Sequence, residues 1–365
     1  MNVTRLLHDS GQSLWLDNIT RDLIHSGSLK HYIDDFSVTG LTSNPSIFDQ
    51  AISLSPAYDE GFRRAVRPGR PPEEVLFELA LEDLREAADL FFPTYQSTQG
   101  RDGWVSLEVS PALAHDSAST VKQARALHQQ ADRPNLFIKI PGTPEGVAAI
   151  EEAIFGGIPV NVTLLFSVSQ YEAAAQAWLR GLERRLAAGL DLAVESVASL
   201  FVSRWDKAVE AHVPADLRNR LGIAVAQQVY ARYRALLGSA RWERLEGAGA
   251  HPQRLLWAST ATKDPAASDV LYVEALVAPD TINTMPEGTL NAFASHGELR
   301  GLMPIDGVEA ATTLERMVAA GVDVSRLAAT LQDEGARAFS ASWDHLVAAV
   351  KARSAAALQS TGAHG

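Results

Sequence analysis

The chain contains no cysteine. That absence excludes disulfides, thiolate nucleophiles, iron–sulfur clusters and thiolate-bound zinc, and it fits a reducing cytoplasm, where the protein is expected to reside. Nor is there an apolar run near the ~20 residues needed to span a bilayer. Residues 1–15 (MNVTRLLHDSGQSLW) show neither the apolar stretch nor the cleavage site of a secretory leader. The sequons at Asn2, Asn18 and Asn161 are therefore expected to be unused. Positive charge is scarce as well, with 32 Lys and Arg against 44 Asp and Glu, a net charge of −12. This speaks against general nucleic-acid binding and polybasic membrane docking. It also means that a few local cations would have to hold any anionic ligand against an unfavourable overall field. The ten histidines form no H-E-x-x-H or H-x-H pair, so no metal or cofactor is expected.

What is present is an alternation of short β-rich runs with longer helical patterns. Candidate strands are residues 13–17 (SLWLD), 38–43 (VTGLTS), 103–109 (GWVSLEV), 135–140 (NLFIKI), 158–164 (IPVNVTL), 196–202 (SVASLFV), 254–259 (RLLWAS) and 270–277 (VLYVEALV). Helical patterns fill residues 73–91, 117–130, 145–155 and 169–188 between them. Strand–helix alternation implies a parallel sheet, and eight repeats favour closure into a single (β/α)8 TIM barrel. The open doubly wound alternative lacks its signature, because no G-x-G-x-x-G follows either of the first two strands. Residues 327–350 read as one or two C-terminal helices packing on the barrel. Residues 1–353 are thus expected to form one domain, and the Ala/Ser/Gly-rich residues 354–365 a frayed tail.

Strands of a parallel barrel are buried on both faces and are mostly apolar, so the polar exceptions are informative. Asp17 ends the first strand, Asn44 follows the second and Glu108 interrupts the third. Lys139 sits between two isoleucines, Asn161 and Thr163 share one face, and Ser199 shares a face with Phe201. Each lies in the C-terminal part of its strand or just beyond, at the end where such barrels assemble their active sites. Singly, these residues have plain explanations. Asp17 could start a turn, Asn44 before Pro45 reads as a helix N-cap, and Glu108 or Lys139 could be a charge on an exposed strand face. Independent accidents should not all fall at one end of the strands.

Lys139 carries the most chemistry. Apolar neighbours favour the neutral amine, which can attack a ketone where an ammonium cannot. The resulting iminium is an electron sink that lets the adjacent C–C bond break. Glu108 and Asp17 can move protons, and Thr163 can hold a water between them and the amine. Arg204 and Lys263, just after the sixth and seventh strands, are the candidate anion-binding cations.

The segments GLTSNPSIF (residues 40–48), NLFIKIPGT (135–143), NVTLLFS (161–167) and SLFVSRWD (199–206) together resemble, in order, the transaldolase family. The similarity runs from about residue 13 to residue 304. The resemblance implies Lys139 as the Schiff-base nucleophile, Glu108 and Thr163 as holders of the catalytic water, and Asp17 as the acid/base at the breaking bond. It further implies Asn44 and Asn161 at the dihydroxyacetone hydroxyls, and Ser199 and Arg204 at the substrate and its phosphate. Many transaldolases carry an arginine soon after a serine on the seventh strand. Here Ser259 is followed by Lys263 instead, which assigns the second phosphate cation to Lys263 and resembles the longer bacterial branch. Phe201 stands where related fructose 6-phosphate aldolases tend to have tyrosine, favouring transfer over release of free dihydroxyacetone. The implied reaction passes a three-carbon unit from sedoheptulose 7-phosphate to glyceraldehyde 3-phosphate, giving erythrose 4-phosphate and fructose 6-phosphate. Such an enzyme is expected to take only sugar phosphates as partners and to be a monomer or homodimer. The competing readings are a lysine aldolase of the same fold, acting on another sugar phosphate or releasing the three-carbon unit to water, and a catalytically silent sugar-phosphate binder.

Overall fold

The computed structural model describes residues 2–362. Eight parallel strands are present: β1 Gln12–Asp17, β2 Val38–Thr42, β3 Val105–Glu108, β4 Leu136–Pro141, β5 Val160–Leu165, β6 Ser196–Phe201, β7 Arg254–Ala258 and β8 Thr281–Met285. They hydrogen-bond in the order β2-β1-β8-β7-β6-β5-β4-β3. A seam closes the circle between β2 and the residues just before β3. There the Leu41 amide donates to the Trp104 carbonyl (2.9 Å) and the Gly103 amide to the Thr39 carbonyl (2.7 Å). The expected barrel is therefore the observed fold, wrapped in helices. Among the described residues no helix is long and apolar enough to cross a membrane.

Seven of the eight expected strands occur within a residue or two of their places, but the eighth does not. Residues 270–277 are not a strand. Leu271–Ala275 is a short helix, and Val270, Tyr272, Val273, Leu276 and Val277 are buried at spacings of three and four. The true β8, TINTM, has few of the apolar residues a buried strand usually carries. Its polar side chains are buried because partners meet them. The Thr281 hydroxyl donates to the Ala278 carbonyl (2.6 Å), Asn283 accepts from Thr260 (2.9 Å), and the Thr284 and Thr42 hydroxyls lie 2.7 Å apart.

Inward-facing side chains fill the barrel in layers. At the N-terminal floor Arg254 pairs with Asp102 (3.1 Å), and the Ser13 hydroxyl donates to the other oxygen of the same carboxylate (2.7 Å). Above lies an aromatic layer, in which Trp104 stacks on Phe137 at 4.1 Å between ring centroids and Trp15 stands 6.1 Å from Phe137. The upper layer is polar and open to the rim.

The helices start where side chains can cap them. Asn44 accepts from the Ile47 amide, with Pro45 at the first helical position, and Thr143–Pro144 and Ser167 repeat the device. The N-cap reading of Asn44 thus holds beside its place at the rim. The expected 327–350 helical region is one helix, Val324–Gly362, packed against the barrel and against the Pro45–Leu54 and Pro72–Ser97 helices. Of the expected tail, residues 354–362 continue that helix, and residues 363–365 lie outside the described residues.

Gly103 makes the closing seam possible. Its φ is +87°, and an added Cβ would lie 2.3 Å from the Tyr95 backbone nitrogen. Gly103→Ala should therefore combine left-handed strain with a backbone clash and destabilise the fold by about 2–5 kcal/mol. The check is the midpoint of chemical unfolding; an unchanged midpoint would place the seam's tolerance elsewhere.

Candidate active site

The site grows from a row of neighbours on three adjacent strands. Glu108 of β3, Lys139 of β4 and Asn161 of β5 are register partners, and side chains in register share a face. Lys139 is 5% exposed, which commits its amine to the barrel interior. Its Nζ donates to the Ser43 carbonyl at 2.8 Å and lies 3.7 Å from Glu108 Oε2. The Ser43 carbonyl is held out by the turn between β2 and the Asn44 cap, so the motif GLTSNP both starts a helix and places an acceptor for the amine.

Burial pushes the Glu108 carboxyl up to about 7, with Lys139 pulling it back down and Asp17 adding repulsion. Glu108 Oε2 and Thr163 Oγ1 are both buried without a hydrogen-bond partner among the described residues. Two such unmatched oxygens on the strands flanking β4 suit a bound water that could serve the amine.

Asp17 at the end of β1 is enclosed by the barrel but accessible from the cavity. Burial raises its carboxyl above the usual range, opposed by Lys139 and by hydrogen bonds from Thr42 and Asn44. The Thr42 hydroxyl donates to Asp17 Oδ1 at 2.8 Å, and Thr42 in turn contacts Thr284.

Lys139, Thr163, Asp17 and Thr42 open onto a cavity of about 220 Å³. Of the residues singled out in the sequence, Asp17, Asn44, Lys139, Thr163, Ser199, Phe201, Arg204, Ser259 and Lys263 line it. Glu108 and Asn161 do not. Glu108 stands behind the lysine, and the Asn161 amide is occupied, donating to Ser106 Oγ (3.2 Å) and accepting from Ser199 Oγ (2.7 Å). These two bonds fix the orientation of Asn161 and leave it one N–H and one lone pair.

Two cations reach the cavity from successive strand ends. Half-buried Arg204, in the helix Ser203–Val209, holds its guanidinium 5.2 Å over the Phe201 ring and has no ion pair among the described residues. Burial pulls its pKa below the ordinary value, with Glu334 opposing. Lys263 is exposed at the rim. Between them Ser259 adopts φ +55° and its hydroxyl meets that of Ser203 at 2.9 Å. Two cations with no ion pair among the described residues, beside a polar cavity, suit an anionic group on a small ligand.

The sequence reading missed Thr42, Thr284 and Phe339, all on the cavity wall. Thr42 lay inside a recognised strand and carried a signal. Thr284 was hidden by the misplaced eighth strand. Phe339 sits far along the C-terminal helix, where nothing in its neighbours points to a site.

A closed (β/α)8 barrel with an interior lysine, two buried carboxyls beside it and a cation-flanked cavity has the layout that lysine-aldolase chemistry requires. The family described as "Transaldolase/Fructose-6-phosphate aldolase" matches residues 14–350, and the chain belongs to it. Among its relatives, "Transaldolase" of Saccharopolyspora erythraea is 44% identical, over 94% of this chain and 96% of that one. "Transaldolase" of Thermobifida fusca is 46% identical, over 93% and 95%. "Transaldolase" of Thiobacillus denitrificans is 43% identical, over 96% and 100%. The chain is an enzyme of this transaldolase-type, Schiff-base chemistry.

With a pKa of about 7, Glu108 is protonated below neutrality and ionised above it. The rate should fall above pH 7 as that proton is lost. Glu108→Gln should lose this limb together with about 10²–10⁴-fold of the rate, as read in the pH dependence of kcat. Stability moves too. A carboxyl raised from about 4.5 to about 7 stabilises the fold fully below 4.5 and loses that contribution as pH rises through 7. Wild-type stability relative to Glu108→Gln should therefore decline over that window in urea titrations.

Proposed function

We propose that the protein transfers a dihydroxyacetone unit between sugar phosphates, from sedoheptulose 7-phosphate to glyceraldehyde 3-phosphate and in reverse, in the non-oxidative pentose phosphate pathway of the cytoplasm. The observation that carries this reading is the interior amine of Lys139, 3.7 Å from Glu108 and facing the cavity. Lys139 attacks the ketone carbon of the donor. Through a water held by Glu108 and Thr163, one proton from the adduct's nitrogen and one from Glu108 reach the former ketone oxygen, which leaves as water and gives the iminium. Asp17 then takes the proton of the hydroxyl on the far side of the breaking C–C bond. The aldose leaves, and the three-carbon unit remains on Lys139 as an enamine. Attack of that enamine on an acceptor aldehyde reverses the steps, with Asp17 returning its proton to the new hydroxyl. Asn44 orients the sugar hydroxyls, with Ser199 and Asn161 as a bonded pair beneath them. Arg204 and Lys263 hold the phosphate, and Ser259, bonded to Ser203, shapes the turn between them.

A second reading is release of free dihydroxyacetone from fructose 6-phosphate. Phe201 favours transfer, because its ring packs against Phe166 at 5.4 Å and offers no hydroxyl to the water beside Lys139.

Borohydride with fructose 6-phosphate should trap a covalent adduct on Lys139. Lys139→Met should abolish both the adduct and the activity, and an adduct persisting in that variant would sink the proposed nucleophile. Product formation should require erythrose 4-phosphate; equal turnover without it would favour the free aldolase. Arg204→Ala should lower kcat/KM by about 10–100-fold, the loss of a charge-assisted phosphate contact. Lys263→Ala, at the exposed rim, should have a smaller effect, mainly on KM.

A further inference from the structure

We propose that Phe339, carried across the barrel mouth by the C-terminal helix, is a second specificity-determining residue beside Phe201, one that directs the bound three-carbon unit to an acceptor aldehyde and keeps it from water. The inference rests on the lysine-aldolase reading above and extends it to a residue outside the barrel.

Gln332, Gly335, Phe339 and Ser342 recur at spacings of three and four, forming one stripe of the Val324–Gly362 helix. Each seats the helix on the rim or faces the cavity. The buried Gln332 amide donates to the carbonyls of Gly142 (3.0 Å) and Leu164 (2.9 Å). Those carbonyls stand just past Lys139 and Thr163, where the pairing of β5 with β6 slips and Leu164 adopts φ +59°. Gly335 sets the height of the helix. A Cβ there would lie 2.9 Å from Leu164 Cδ2 and 3.1 Å from Arg204 Nη1, so any larger residue would lift the helix or displace the phosphate cation. At the far side the Ser342 hydroxyl meets that of Ser46, itself on the cavity wall, at 2.8 Å. Between these anchors Phe339 lines the cavity and is 6% exposed.

The chemistry gives this ring a task. Once the aldose has left, the enamine on Lys139 has two fates. It can attack an aldehyde, forming the new C–C bond. Alternatively its nucleophilic carbon takes a proton from solvent, water adds to the resulting iminium carbon, and the C–N bond breaks, releasing dihydroxyacetone and the free amine. The second fate requires solvent at the carbon. Phe339 has no group that can relay a proton, and its seat over the cavity excludes bulk water from that carbon.

The test measures dihydroxyacetone release from fructose 6-phosphate against transfer to erythrose 4-phosphate, with borohydride trapping of the wild type alongside. Phe339→Ala should raise the ratio of release to transfer by about tenfold, and Phe339→Leu, which keeps apolar bulk, by much less. If the wild type neither traps nor transfers, the lysine-aldolase reading fails and this proposal with it. If the wild type transfers and Phe339→Ala keeps its ratio while losing only kcat, the reading stands and the proposal is overturned. Should Phe339→Ala not fold, Gln332→Met removes the clamp without removing bulk: a raised ratio supports the proposal, and an unchanged one overturns it.

Discussion

Burying an amine and a carboxylate side by side inside a barrel is costly unless each finds compensating contacts, and around Lys139 and Glu108 only the lysine is fully met. The lysine leans on the Ser43 carbonyl as well as on Glu108. Glu108 is held at a pKa of about 7, where giving up or taking a proton costs little near neutrality. Each consequence depends on β3, β4 and β5 being in register and on β2 closing against β3. Without that seam the Ser43 carbonyl would not reach the amine. The Gly103–Thr39 and Leu41–Trp104 hydrogen bonds are therefore as much a part of the site as the residues that line it.

The layers of the barrel divide the work. The Arg254–Asp102 pair closes the floor, and Trp104 on Phe137 makes a rigid apolar plate above it. The polar layer rests on that plate, so its side chains have little freedom to turn away from the cavity. The cations follow the same economy. In a chain of net charge −12, Arg204 has no ion pair among the described residues and lies half-buried over Phe201, so its charge is left to face the cavity.

The C-terminal helix completes what the barrel leaves open. It is fastened to the Gly142 and Leu164 carbonyls, beside the left-handed backbone of Leu164, and it brings a second aromatic ring to a cavity otherwise lined by strands and by the loops and helix starts that follow them.

Seven strands and the polar residues at their ends could be read directly, because a doubly buried parallel strand has a strong local signature and a lysine among isoleucines stands out against it. Asp17, Glu108, Lys139 and Thr163 were visible for that reason. The eighth strand was not, since TINTM is buried through hydrogen bonds to Thr42, Thr260 and Ala278 that no local pattern announces, and the apolar run before it followed a helical period. Asn161 could be placed on the right face, but its pairing with Ser106 and Ser199 depends on three strands at once. Thr284 and Phe339 were beyond reach in the same way. The sequence by itself determined the alternation, the strand faces and the lysine buried among apolar neighbours, because these rest on the residue and its nearest neighbours. Only the tertiary structure decided which oxygen faces the amine, which polar groups spend their bonds on one another and what covers the mouth, because those depend on contacts between segments up to about three hundred residues apart in the chain.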